Sequence, residues 1–253
     1  MSLKDKVALI TGSTSGIGKA IALKLSSMGA SVVITGRDEQ RIDEVVDECR
    51  QLTAGGDGQQ TTAIGVCADI LLDEDINKLS DTVLSVYGKC DILVNNAGVY
   101  RLAGFGSANY MDTYDEEMKF LRSAQLLTKL LTQSLIDSKG SIVNISSYYD
   151  NPFPLALANN INKVCTDMLT KCLALELKPN GVCVNSISPG LISTPLVTNN
   201  PMLSKWVLSP DFIEKIALRR VGRPDDVANA VAFLVDDKSA IITGLKLAVD
   251  GGH

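Results

Sequence analysis

The sequence predicts an α/β fold, one doubly wound parallel sheet of about seven strands with helices on both faces. Three observations carry that expectation. Strand-like and helix-like patterns alternate along all 253 residues, the order required by parallel strands joined through crossover helices. The first strand, Val7–Ile10, is a continuous apolar run, as in a strand covered on both sides. A glycine-rich turn, TGSTSGIG at 11–18, then leads directly into an amphipathic helix. No composition shift or internal repeat divides the chain, so 1–253 reads as a single domain.

Each element has its own justification. Gly12, Gly16 and Gly18 remove side chains where a turn must be tight and a pyrophosphate must approach the backbone. Ile17, Ala20, Ile21 and Leu25 form an apolar helical face behind them, which leaves the free N–H groups of the helix start aimed at a ligand. The spacing is one residue wider than G-x-G-x-x-G; taken alone, the glycines also suit a plain strand–helix turn. Further strands are expected at 31–35, 62–67, 91–94, 141–146 and 182–188, and at Lys246–Val249. Helices are expected near 38–50, 73–87, 114–136 and 155–177, with a polar loop at 54–60.

The two long helices are apolar over more than one stripe. Leu126, Leu127, Leu130, Leu131 and Leu135 fill a broad face of the first, and Ile161, Val164, Met168 and Leu169 do the same in the second. Such width points to a second copy, as homodimer or homotetramer, or else to a well-buried helix pair within one chain.

Composition narrows the function classes. A net charge of −5 argues against nucleic-acid and anionic-membrane partners. No apolar stretch approaches the length of a membrane span. The opening MSLKDKVALITG runs into the first strand, so no cleavable signal is expected and a cytoplasmic location follows. The six scattered cysteines form no C-x-x-C pair and are expected as buried free thiols. The one histidine, His253, is the last residue, which leaves a histidine triad or metal site little to build on, and no metal is expected.

Several motifs fall in a fixed order: TGSTSGIG at 11–18, NNAG at 95–98, IVNISS at 142–147, Lys163, SPGLIST at 188–194 and VDGG at 249–252. With RRVGRPDDVANAVAFLV at 219–235, they resemble the short-chain dehydrogenase/reductase family over essentially the whole chain. The resemblance implies a Rossmann-type fold, a nicotinamide cofactor and hydride transfer to or from a carbonyl or alcohol; the composition of 191–218 suggests a small, moderately apolar one. It also implies cofactor contacts at Gly12, Ser13, Gly16, Ile17, Gly18, Asp69, Asn95, Ala97, Gly98, Lys163, Pro189, Gly190, Ile192 and Thr194. Asn95 has a structural role as its other reading, and Asp69 could instead cap a helix, though Asp73 is better placed to do so. At the end of the second strand, where NAD enzymes carry an acid, stand Gly36 and Arg37. A guanidinium pairs with a 2′-phosphate, so NADP(H) is favoured over NAD(H), with Asp38 suited to cap the next helix.

The family's proton-transfer set is incomplete. Ser147, rather than its neighbour Ser146, matches the substrate-binding serine, and Lys163 matches the lysine. The tyrosine expected one helical turn before that lysine is Asn159, and no tyrosine follows Tyr149. The asparagine of the preceding long helix falls on Phe120 or Leu121, as if one residue had dropped out between them. An amide neither supplies nor accepts a proton at neutral pH, so standard catalysis is expected to be weak or lost. The alternative is a non-catalytic dinucleotide-binding sensor or the inactive subunit of an assembly; an engineered change or a sequence omission would leave the same trace. Tyr148 and Tyr149 follow Ser147 but leave a strand end, aimed differently from a helix residue beside Lys163. With Tyr100, Phe105 and Trp206 they are expected to shape the cavity mouth, under a lid at 191–218.

Overall fold

The computed structural model describes residues 2–53, 62–148, 155–207 and 209–252, with the backbone alone at 53, 202, 206 and 207. The loop expected at 54–60 and His253 lie outside them. In chain order the elements are β1 (Val7–Ile10), α1 (Gly16–Ser27), β2 (Ser31–Gly36), α2 (Glu39–Thr53), β3 (Ala63–Cys67), α3 (Asp73–Tyr87), β4 (Ile92–Asn95) and α4 (Tyr110–Asp137). There follow β5 (Ser141–Ile145), α5 (Leu157–Leu177), β6 (Cys183–Pro189), α6 (Pro195–Thr198), α7 (Pro201–Val207), α8 (Pro210–Ile213), α9 (Pro224–Leu234) and β7 (Lys246–Val249).

The strands form one sheet in the order β3-β2-β1-β4-β5-β6-β7, and every pairing is parallel. This is the doubly wound, Rossmann-type arrangement. Alternate residues of β1 serve opposite cores. Ala8 and Ile10 pack with α1, α2 and α9 through Ile21, Val45 and Val231, while Val7 and Leu9 pack with α3, α4 and α5 through Leu79, Leu131 and Leu177. Both faces are therefore dry, which is why the strand reads as an unbroken apolar run. Between β1 and β4 the crossovers leave in opposite directions, and the carboxyl ends of the strands open there into a crevice.

Some boundaries move from their sequence positions. α4 starts at Tyr110 rather than near 114, because Tyr110 and Thr113 are already buried and anchor a polar first turn. The broad apolar surface of α5 is only partly used within the chain, since Val164, Met168 and Leu175 remain exposed. All six cysteines are free, but only Cys49, Cys90 and Cys183 are buried; Cys67 and Cys165 are half-buried and Cys172 is exposed. No described helix is long and apolar enough to cross a membrane.

A buried amide chain ties the sheet to its helices. Asn95 Nδ2 donates to Asn144 Oδ1 at 2.9 Å across β4 and β5, and to Thr128 Oγ1 on α4 at 3.3 Å. Asn144 Nδ2 donates in turn to Thr170 Oγ1 on α5 at 2.9 Å. Replacing Asn144 with leucine strips hydrogen-bond partners from the buried Asn95 amide and the Thr170 hydroxyl. Urea unfolding should show Asn144→Leu less stable by roughly 1–3 kcal/mol; an unchanged midpoint would contradict this role.

Candidate active site

A cavity of about 680 Å³ opens at the crevice, bounded by the turn after β1, the ends of β2, β4, β5 and β6, the start of α5 and the segment after β6. That is ample for a cofactor with a small ligand. Gly12 and Gly16 have φ of +63° and +53°, the left-handed region. A Cβ on Gly18 would lie 2.3 Å from the Gly12 carbonyl oxygen, so only glycine lets α1 start so close under the turn. Ser15 precedes α1 in extended conformation, with no side-chain cap. The first N–H groups of α1 are thus left for a ligand, and the turn fits a pyrophosphate.

The hydroxyls and amides around this turn divide into two sets. Ser13 is sealed; its Oγ accepts from Thr35 N at 2.9 Å and locks the turn to β2. The cavity wall instead holds Thr14 and Ser15. Asn95 likewise faces α4 and β5, away from the main cavity. Its neighbour Asn96, which the motif reading passed over, lines the wall and donates from Nδ2 to the carbonyls of Thr11 at 2.9 Å and Gly12 at 3.1 Å. Gly12, Gly16, Ile17, Gly18, Ala97 and Gly98 all lie on the cavity, as do Pro189, Gly190, Ile192 and Thr194.

At the end of β2, a Cβ on Gly36 would press to 2.7 Å from Thr14 Cγ2. Arg37 stands there largely exposed, 3.8 Å from the Asp69 carboxylate, and Arg41 lines the same wall one helical turn on. Asp38 caps α2, its Oδ1 accepting from Arg41 N at 3.2 Å. Asp69 also lines the cavity while its Oδ1 accepts from Leu71 N at 3.0 Å. Asp73 is not the helix cap the sequence suggested. It is the first residue of α3, and it pairs with Arg122 of α4.

Ser147, Asn159 and Lys163 are brought to one wall, with Tyr100 and Tyr148 beside them. Lys163 Nζ donates to the Ile145 carbonyl at 2.9 Å. Burial pushes this ammonium below the usual lysine range, against the pull of Glu117 and then of Asp167. Glu117 is the residue that motif reading missed. It lies on α4, 2 % exposed, and both its oxygens accept from Asn159 Nδ2, at 3.2 and 3.3 Å. Burial pushes its carboxyl up, opposed by hydrogen bonds from Asn159 and the Arg101 backbone and by the Lys163 charge. Burial and the Glu117 charge drive the Tyr100 phenol up to about 12, which makes it a reluctant proton donor.

Neither Phe120 nor Leu121 supplies the expected amide. Both line a second, water-sized cavity of about 30 Å³, together with Asn95, Asn144, Asn162 and Lys163. The segment expected as a lid is three short helices, α6 to α8, each opened by a proline at 195, 201 or 210. Leu191, Leu196, Leu203 and Phe212 turn from it onto the cavity. Phe105 does not shape the mouth: it is 77 % exposed and packs edge-on against Tyr110. Tyr149 and the Trp206 side chain lie outside the described residues. Among those residues no group of His, Cys, Asp and Glu could hold a metal ion.

Comparison with known proteins agrees with this geometry. A family model described as enoyl-(acyl carrier protein) reductase matches residues 12–253. The 3-oxoacyl-[acyl-carrier-protein] reductase FabG of Aquifex aeolicus is 36% identical over 255 residues, spanning 100% of this chain and 98% of that protein. Human dehydrogenase/reductase SDR family member 4 is 34% identical over 256 residues, 99% of this chain and 88% of its own. The crystal structure of 3-ketoacyl-(acyl-carrier-protein) reductase from Brucella melitensis complexed with NADH superposes with a TM-score of 0.87 at 32% identity, covering 99% of each chain. Both the glycine turn with its crevice and these full-length matches lead to one conclusion: the chain belongs to the short-chain dehydrogenase/reductase family.

Proposed function

We propose that this chain binds NADP(H) in the main cavity and that its ordinary carbonyl–alcohol turnover is weak or lost. One observation carries the reading: the amide of Asn159 is engaged by Glu117 at the place where the family's tyrosine would stand, one turn from Lys163. When bound, the nicotinamide supplies a hydride donor or acceptor. Gly12, Gly16, Ile17 and Gly18 would hold the pyrophosphate, Asp69 the adenine end, and Lys163 with Pro189, Gly190, Ile192 and Thr194 the nicotinamide end. Ser147 would hold the ligand oxygen, and an amide beside it orients that oxygen without exchanging a proton. A moderately apolar carbonyl or alcohol suits the Leu191, Leu203 and Phe212 wall.

Arg37 and Arg41 support the phosphate-bearing cofactor. Gly36 places no anion at the strand end, and among the described residues Arg37 is held only by a long, exposed contact with Asp69, which costs little to give up. A sensor or inactive-subunit role is compatible with the same site. Six free thiols suit a reducing, cytoplasmic setting. The exposed Val164, Met168 and Leu175 on α5 favour a second copy of the chain covering that face, in a homodimer or homotetramer.

Fluorescence titration should show NADPH binding about tenfold or more tighter than NADH, and Arg37→Glu should abolish that preference. Equal affinities in the native chain would refute the cofactor choice. Sedimentation equilibrium should give a dimer or tetramer that Met168→Glu weakens; a monomer at micromolar concentration would refute the covered face.

A further inference from the structure

The amide of Asn159 has only one way to sit. Its nitrogen donates to both oxygens of Glu117 and, at 3.3 Å, to the carbonyl of Val99. A carboxylate and a backbone carbonyl are acceptors, so both neighbours call for the nitrogen side. Turning the amide over would set its oxygen against theirs. The Val99 carbonyl backs the same orientation, but the Glu117 carboxylate, with two acceptor oxygens and no donor, is what sets it. Both amide hydrogens are then spent. Among the described residues no group donates to Asn159 Oδ1, and that oxygen is not one of the sealed polar atoms left without a partner. What Asn159 retains for the main cavity, whose wall it shares with Ser147 and Lys163, is an acceptor.

This matters because a carbonyl ligand and its alcohol differ in one hydrogen-bonding property. Each offers an oxygen that accepts, and the Ser147 hydroxyl or the Lys163 ammonium serves either. Only the alcohol also donates. An acceptor on the wall therefore rewards the alcohol, and it sets two oxygen lone pairs against each other when a ketone takes the same place.

We propose that Glu117 and Val99 fix Asn159 as a hydrogen-bond acceptor, so that the ligand subsite selects a hydroxyl-bearing, moderately apolar ligand over the matching ketone. This rests on the reading of the main cavity as the shared cofactor and ligand site. Asn159 is then the specificity-determining contact and Glu117 a positioning residue that acts through it. The site favours occupancy by an alcohol, with no requirement that the alcohol be oxidised.

The test uses the full chain saturated with NADP+ and one matched pair of probes, 1-phenylethanol and acetophenone, titrated calorimetrically. The alcohol should bind about tenfold tighter. Glu117→Gln offers Asn159 both a donor and an acceptor, so the amide can turn, and the alcohol-to-ketone ratio should fall toward one. Asn159→Leu removes the acceptor and should collapse the ratio too. The ratio is the readout because packing damage weakens both probes alike. If NADP+ itself does not bind, the cofactor reading and this proposal fall together. If NADP+ binds but the ketone is preferred, neither probe binds, or Glu117→Gln keeps the native ratio, the acceptor assignment alone is refuted.

Discussion

Two carbonyl oxygens of the glycine turn, those of Thr11 and Gly12, are tied to the Asn96 amide, and that tie sets where the cavity can open. Thr11 Oγ1 completes the clamp by accepting from the backbone N–H groups of Asn96 and Ala97, each at 3.0 Å. The turn is thereby drawn over the end of β4, and Gly18 must lack a Cβ because the Gly12 carbonyl passes directly beside it. Everything on the cofactor side follows from this close approach. The start of α1 is aimed along the crevice, Gly36 brings the end of β2 against Thr14, and Arg37 and Arg41 come to the far end.

The reacting end obeys a different constraint, the cost of burying charge. Glu117 is sealed and Lys163 is half-buried on the cavity wall, and burial works against the charged form of each. Each relieves the other in part, and Asn159 and the Arg101 backbone add hydrogen bonds to the carboxylate. A buried ion needs such partners, and removing one commonly costs more than the pair contributes. Asn159 is thus bound into the electrostatics of the wall, where the family's tyrosine would be free to face a ligand. The binding half and the chemical half of the site separate physically: the first depends on backbone geometry, the second on a few titratable side chains.

Much of the first half was legible in the sequence. Continuous apolar strands, alternating with helices, gave the layer order, and the glycine spacing gave the turn. Side-chain direction was harder. Of the Ser13, Thr14 and Ser15 hydroxyls only the first turns inward, to β2, and of the two NNAG amides Asn96 rather than Asn95 lines the main cavity; residue type alone carries no signal of which neighbour faces which side. Glu117 was hidden for another reason. In YDEEM it looks like one of three solvated acids, yet Tyr110, Thr113, Glu117 and Leu121 form the buried stripe of α4 at helical spacing. A carboxylate on an apolar stripe was the available signal. Its partner, Asn159, came from a distant segment that only the tertiary fold brings near.

The most direct measurement is a rapid-mixing experiment on the native chain, beside Asn159→Tyr carrying an asparagine between Phe120 and Leu121. Each is loaded with NADPH and mixed with a panel of small ketones and aldehydes, while nicotinamide absorbance and fluorescence are followed. The account requires the native chain to bind NADPH and leave it essentially unoxidised, and the restored chain to oxidise it faster by on the order of a hundredfold or more. A stoichiometric burst of NADPH oxidation by the native chain would contradict it.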